Sequence, residues 1–217
     1  MTNDNTPPLT PALLLQAYAA GVFPMSESRD DPEVFWVDPS QRGVIELNRF
    51  HISRSLAKRL RNAPFKVSFD TDFEGVVKGC ANRDETWIND TIFDLYVALF
   101  EKGYAHSVEV WDEAELVGGV YGVTIGAAFF GESMFSTRTD ASKIALAYLV
   151  DRLNAGGYQL FDTQFITSHL ASLGAVEIPR DTYQSRLEIA LEKPADFNRI
   201  SGVPAPYDLI QRNAHTS

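Results

Sequence analysis

Apolar positions along the chain change period several times, and each change marks an element. Ala12 to Ala20 is a strongly helical run with Thr10 as its cap and Pro11 at the first helical position, stopped by Gly21 with Pro24 beyond. Met1 to Leu9, polar and proline-bearing, is expected to be a loose arm. Val34 to Val37 and Val44 to Leu47 are predicted strands separated by turn residues. Ser53 to Arg61 places Leu56 and Leu60 on one face and bases on the others, the pattern of a basic amphipathic helix. A strand from Phe65 to Phe69 precedes a helix capped by Asp72. Asn89 or Asp90 opens another helix whose buried stripe is Ile92, Leu95, Tyr96 and Leu99.

The period then switches to two. His106 to Trp111, Leu116 to Ile125 and Ala127 to Phe135 form a glycine-rich meander. Asp140 is expected to cap a long helix, Ala141 to Asn154, closed by Gly156 and Gly157. A strand from Gln159 to Phe165, a short helix near Ser168 and a last helix from Pro179 follow, with an irregular tail after Pro194. Strands adjacent in sequence with helices packed on them make this α+β, or mixed α/β, and not doubly wound.

Composition adds exclusions. At 217 residues and 45% hydrophobic, the chain can build one substantial core. No run approaches the roughly 18 to 20 apolar residues that span a bilayer, and the polar, acidic start lacks a secretory layout, which points to the cytosol. One cysteine, Cys80, excludes an internal disulfide, and four scattered histidines give no metal spacing. The net charge of -10 conceals a segregation: Gln41 to Lys66 holds seven bases against the single acid Glu46, while the remainder holds 12 bases and 28 acids. A basic island on an acidic body suggests one defined anionic partner, although solvated faces explain the same counts.

Two constellations carry chemistry. In Gly131-Glu132-Ser133-Met134 a carboxylate sits in an apolar, aromatic strand, so it needs either a cation within the fold, with Arg138 and Lys143 as candidates, or one from a ligand. In Asp162-Thr163-Gln164 the strand period puts Asp162 and Gln164 on one face, where they would orient an amine or satisfy backbone groups. His169 and Ser172 lack a nucleophile elbow, and the Gly118-Gly119 pair is no phosphate loop.

Eight strings, AYAAGVFP (17 to 24), FHISRSL (50 to 56), TWI (86 to 88), GYAHSVEVW (103 to 111), ELVGGVYGV (115 to 123), FFGESMFS (129 to 136), ASKIAL (141 to 146) and SLGAVEIPR (172 to 180), run in order along nearly the whole chain. Together they resemble the bacterial leucyl/phenylalanyl-tRNA-protein transferases. The resemblance implies a trimmed N-terminal domain over 1–62 bearing a tRNA-contacting helix, an acetyltransferase-like (GNAT-like) catalytic domain over 63–192, and the tail over 193–217.

It also implies a cytoplasmic, monomeric aminoacyltransferase without metal or cofactor. Leu, and less readily Phe or Met, would pass from aminoacyl-tRNA to the α-amine of proteins beginning with Arg or Lys, marking them for N-degron degradation; neither membrane nor DNA is a partner. By that resemblance Gln164 takes the amine proton, Asp162 supports it, and Glu132 faces the amines or the cationic acceptor. Val120, Phe129, Met134, Leu149, Leu153 and Phe161 would form the aminoacyl pocket and Trp87 the platform for the terminal adenosine. Arg42, Arg54, Lys58, Arg59 and Arg61 would meet the tRNA backbone. Met25 stands where many relatives carry Trp. Against a rival acetyl-CoA transferase, Ser136 to Ala141 lacks the glycine-bearing pyrophosphate loop. A non-catalytic tRNA- or peptide-binding protein on this scaffold is the second rival.

Overall fold

The computed structural model describes residues 9–62 and 64–214. The arm expected over Met1 to Leu9 lies outside them, Leu9 apart. A seven-stranded sheet carries helices on both faces, a mixed α/β layout. In chain order its elements are α1 (Pro11–Ala19), β1 (Phe23–Met25), β2 (Phe35–Val37), β3 (Gln41–Ile45), α2 (Arg54–Asn62), β4 (Lys66–Phe69), α3 (Phe73–Ala81) and α4 (Asp90–Glu101). They continue with β5 (Ala105–Asp112), β6 (Glu115–Ile125), β7 (Ala128–Ser136), α5 (Ala141–Gly156), β8 (Leu160–Gln164), α6 (Ser168–Ala171), β9 (Ala175–Pro179), α7 (Arg180–Leu191) and α8 (Pro206–Ala214).

The large sheet runs β4-β5-β6-β7-β8-β3-β9, and β1 with β2 forms a separate ribbon. Two cores flank the sheet. One gathers Leu56 and Leu60 of α2, the inner face of α5, Leu170 and Leu209; the other gathers Tyr18, α3, α4, Tyr183 and Leu187. Local chemistry sets the helix starts where the sequence predicts: Thr10, Asp72 and Asn89 accept hydrogen bonds from the amides of Leu13, Gly75 and Ile92 at 3.2, 3.0 and 2.9 Å. No helix of the described residues is long and apolar enough to cross a membrane.

Several expectations are corrected. Strand β3 lies inside the large sheet, between β8 and β9, so strand pairing crosses the boundary expected at 62. Its polar start, Gln41-Arg42, belongs to the strand because Arg42 is consumed internally. Strand β9 was unforeseen: an edge strand whose buried residues, Ala175 and Ile178, lie three apart and show no alternation. The tail is not irregular throughout, since α8 packs on α2 and α5 through Leu209. Asp140 occupies the cap position of α5 in left-handed backbone and makes no capping bond; its carboxylate pairs with Lys143 at 3.2 Å.

Candidate active site

Strands β7 and β8 are the parallel pair of the large sheet, and their pairing ends at Phe130 and Asp162 although both strands continue. The backbone is irregular on both sides of this parting. Tyr121 pairs with Ser133 and Gly122 with Gly131, leaving Glu132 as the extra residue of a bulge in β7. Opposite β3, Val44 pairs with Asp162 and Gly43 with Gln164, leaving Thr163 extra in β8. Gly131 fits because any Cβ there would stand 2.8 Å from the Phe161 ring. Bulges re-aim side chains, and these two turn Glu132 and Gln164 toward each other: Gln164 Nε2 donates to Glu132 Oε1 at 3.2 Å.

Glu132 is 8% exposed, and among the described residues no cation pairs with its carboxyl group. The expected partners are engaged elsewhere, Arg138 with Glu115 at 2.9 Å and Lys143 with Asp140. Instead the hydroxyls of Tyr18 and Tyr96 stand 2.7 and 2.6 Å from Glu132 Oε1 and Oε2, and 2.7 Å from each other. Three close oxygen contacts need three protons, and two phenols supply two. The carboxyl group supplies the third while it is protonated, which closes the ring, and accepts from both phenols when it is ionised. Burial accordingly pushes the Glu132 carboxyl up to about 7, against the lowering effect of bonds from Tyr18, Tyr96 and Gln164, with the Asp162 charge adding to the rise.

Asp162 sits behind this group rather than beside it. It is 0% exposed and receives Arg42 Nε at 2.9 Å, Arg42 Nη2 at 2.7 Å, the Tyr183 hydroxyl at 2.8 Å and the Gln164 amide at 2.7 Å. Such a saturated carboxylate holds backbone in place. It fixes Gln164 at φ +63°, a strained conformation for a side chain of this size, and so aims the amide at Glu132. Arg42, expected on the tRNA backbone, is 1% exposed and cannot be a phosphate contact. Its guanidinium lies between the rings of Phe23 and Tyr183 at 4.5 and 4.4 Å and donates to the Gly21 carbonyl at 3.0 Å.

A cavity of about 60 Å³ opens at the Glu132 lip, lined by Val120, Met134, Leu146, Phe161 and Leu170 with Gly131, Ser133 and Thr163. Val120, Met134 and Phe161 were expected there. Phe129, Leu149 and Leu153 are instead packed in the core, at most 1% exposed. Leu146 lines the cavity in their place; Leu149 and Leu153 share its face of α5 but lie about one and two turns farther along the helix, beyond the strand gap.

Trp87 meets Tyr96 edge to face, centroids 6.4 Å apart, one ring from Glu132. On α2, Arg54, Lys58 and Arg61 are exposed above buried Leu56 and Leu60. Arg59 is only half exposed, its guanidinium over Phe65 and one nitrogen 3.4 Å from the Thr139 carbonyl. The sequence reading missed Tyr18, Tyr183 and Arg83, which reaches Ser133 Oγ at 2.8 Å and the Met134 carbonyl at 2.6 Å and so holds the bulge strand from outside. The one signal for Tyr18 was its place in the AYAAGVFP string.

Comparison with known proteins places the chain in a family. The sequence model of the leucyl/phenylalanyl-tRNA protein transferase matches residues 44–188, and that of its N-terminal domain matches 8–40. A leucyl/phenylalanyl-tRNA--protein transferase of Ruegeria sp. (strain TM1040) is 65% identical over 96% of this chain and 99% of its own length. Its namesake in Cereibacter sphaeroides (strain ATCC 17029 / ATH 2.4.9) is 62% identical over 97% and 99%. With these matches across nearly its whole length, the chain belongs to the leucyl/phenylalanyl-tRNA protein transferase family.

Proposed function

We propose that this enzyme moves Leu, and with it Phe and Met, from aminoacyl-tRNA to the α-amine of proteins beginning with Arg or Lys, in the cytosol, as an N-degron mark. The observation that carries the reading is the Glu132-Gln164 pair at the lip of an apolar cavity. An aminoacyl ester is already activated. Catalysis therefore reduces to placing a neutral amine against the carbonyl carbon and removing a proton.

The acceptor α-amine has an ordinary pKa of about 7.7 to 8.0. Handing its proton to a carboxylate near 7 costs about 1 kcal/mol, whereas an ordinary glutamate near 4.5 would cost roughly 4 to 5 kcal/mol. Glu132 is thus matched to the task as proton acceptor. An amide oxygen is too weak a base to keep that proton, so Gln164 orients the amine through its carbonyl while its NH2 holds Glu132. Asp162 and Arg42 position Gln164 from behind. With the ammonium proton taken by Glu132 and released to solvent, the neutral nitrogen bonds to the carbonyl carbon, the ester C–O bond breaks, and the departing ribose oxygen takes the second proton, the one the nitrogen sheds as it becomes an amide.

The cavity of about 60 Å³ is far below the ~150 Å³ that admits benzene, which favours an aliphatic donor side chain over an aromatic one. In this reading Trp87 stacks the terminal adenosine, and Arg54, Lys58 and Arg61 neutralise phosphates. The test is transfer of labelled leucine from Leu-tRNA to peptides differing only in a first residue of Arg, Lys or Glu, without acetyl-CoA. Labelling of the Arg and Lys peptides alone is expected. A protein that binds charged tRNA and labels none would be a binding protein.

A further inference from the structure

Attack on the ester turns its carbonyl oxygen into an oxyanion, and such a charge needs a donor aimed at it. Most side-chain donors around the strand gap already have a partner. Gln164 Nε2 is given to Glu132, Arg42 to Asp162 and Gly21, and the Tyr18 and Tyr96 hydroxyls to the Glu132 ring. Ser133 Oγ accepts from Arg83 on the outer side of the strand, at 2.8 Å. Among the described cavity-lining residues one buried side-chain donor has no partner, the hydroxyl of Thr163.

Buried hydroxyls are ordinarily satisfied, and one left open in the wall of a substrate cavity marks where a substrate atom belongs. Thr163 is the extra residue of the β8 bulge, set between Phe161, which lines the side-chain cavity, and Gln164, which meets the amine. Its Oγ1 rests against Gly43, where a Cβ would stand only 2.9 Å away; the missing side chain leaves the hydroxyl room there. Thr163 also lines the cavity, so a change of χ1 between staggered wells is the motion by which its hydroxyl would meet a bound ester.

We infer that Thr163 is a catalytic residue: its hydroxyl donates to the ester carbonyl oxygen. The inference rests on the transfer reading above. As the amine nitrogen bonds to the carbonyl carbon, the carbonyl π pair moves onto oxygen and receives the Thr163 hydrogen bond. When the pair returns, the bond to the ribose oxygen breaks, and that oxygen takes the proton the nitrogen sheds as it becomes an amide. Thr163 itself gains and loses nothing.

The experiment measures kcat and KM for Leu-tRNA at saturating Arg-peptide. Thr163→Val, which keeps shape and removes the donor, is expected to lower kcat about 100-fold with KM changed less than about threefold, and Thr163→Ser to stay within about tenfold of the parent kcat. If valine lowers the melting temperature, Thr163→Ala is read in its place. Full activity of the Val or Ala variant, an equal loss in the Ser variant, or a loss confined to KM would overturn the inference. A parent protein that transfers nothing would instead refute the transfer reading.

Discussion

Replacing Arg42 by Met separates the role seen in the structure from the one its sequence suggested. The change removes two charged hydrogen bonds from Asp162, at 2.9 and 2.7 Å, in a site where the partners are 1% and 0% exposed. The stacking on Phe23 and Tyr183 and the bond to Gly21 go with them. Stranding one partner of a buried ion pair costs about 3 to 5 kcal/mol, a large part of a total stability of roughly 5 to 15. For a chain of this size each kcal/mol is worth about 2 to 4 °C, so the melting temperature should fall by about 6 to 20 °C. The double variant Arg42→Met/Asp162→Leu leaves no buried charge and should regain much of that loss, giving a coupling of several kcal/mol, yet remain inactive because Gln164 has lost its anchor. Thermal denaturation of the four proteins of this cycle, with tRNA binding at several salt concentrations, supplies the measurement. A melting temperature lowered by less than about 3 °C, together with weaker tRNA binding and a shallower salt dependence, would refute the reasoning and make Arg42 a phosphate contact.

The Glu132 carboxyl, raised from 4.5 to about 7 by burial, ionises in the unfolded chain before the folded one, so stability should fall as pH rises from about 4.5 to about 7, by at most about 3 kcal/mol, and level off above; Glu132→Gln should flatten that slope in urea titrations. Transfer should show the opposite trend in pH-rate profiles, rising toward a plateau above about 7 as the carboxylate forms, and a rate flat across that range would remove Glu132 as proton acceptor. Met134→Ala enlarges a cavity of about 60 Å³, and competition between Phe-tRNA and Leu-tRNA should then shift toward Phe by about tenfold or more. Changing exposed Arg54 and Lys58 to Ala should weaken tRNA binding and reduce its logarithmic salt slope by about 1 to 2, whatever the attached amino acid.

What was legible in the sequence is what local chemistry decides. Thr10, Asp72 and Asn89 announce three helices because a cap bonds within its own first turn. Glu132, Asp162 and Gln164 stood out as polar residues in apolar strands. Their partners did not, because Tyr18 and Tyr96 look like any buried helical tyrosine and are brought to Glu132 from 114 and 36 residues away. Arg42 was misjudged for the same reason: it lies within a run of exposed bases, and only its pairing with a residue 120 positions distant removes it from solvent. The bulges that aim Glu132 and Thr163 come from register between strands, which no single strand's pattern displays. The pocket fared midway, since Leu146, Leu149 and Leu153 share one face of α5 and the helical period leaves open which turn of that face meets the gap.

The ring of Tyr18, Tyr96 and Glu132, backed by Arg42, Asp162 and Tyr183, draws one residue or more from α1, β3, α4, β7, β8 and α7. Contacts separated by up to 141 residues carry a large loop-closure cost and slow the folding of the whole. A chain still lacking Tyr183 leaves Arg42 and Asp162 incompletely clamped, so the site is finished only once α7 has joined the sheet. The same wiring makes catalysis an early casualty of partial unfolding: release of α1 alone removes Tyr18 from the ring while most of the large sheet stays intact.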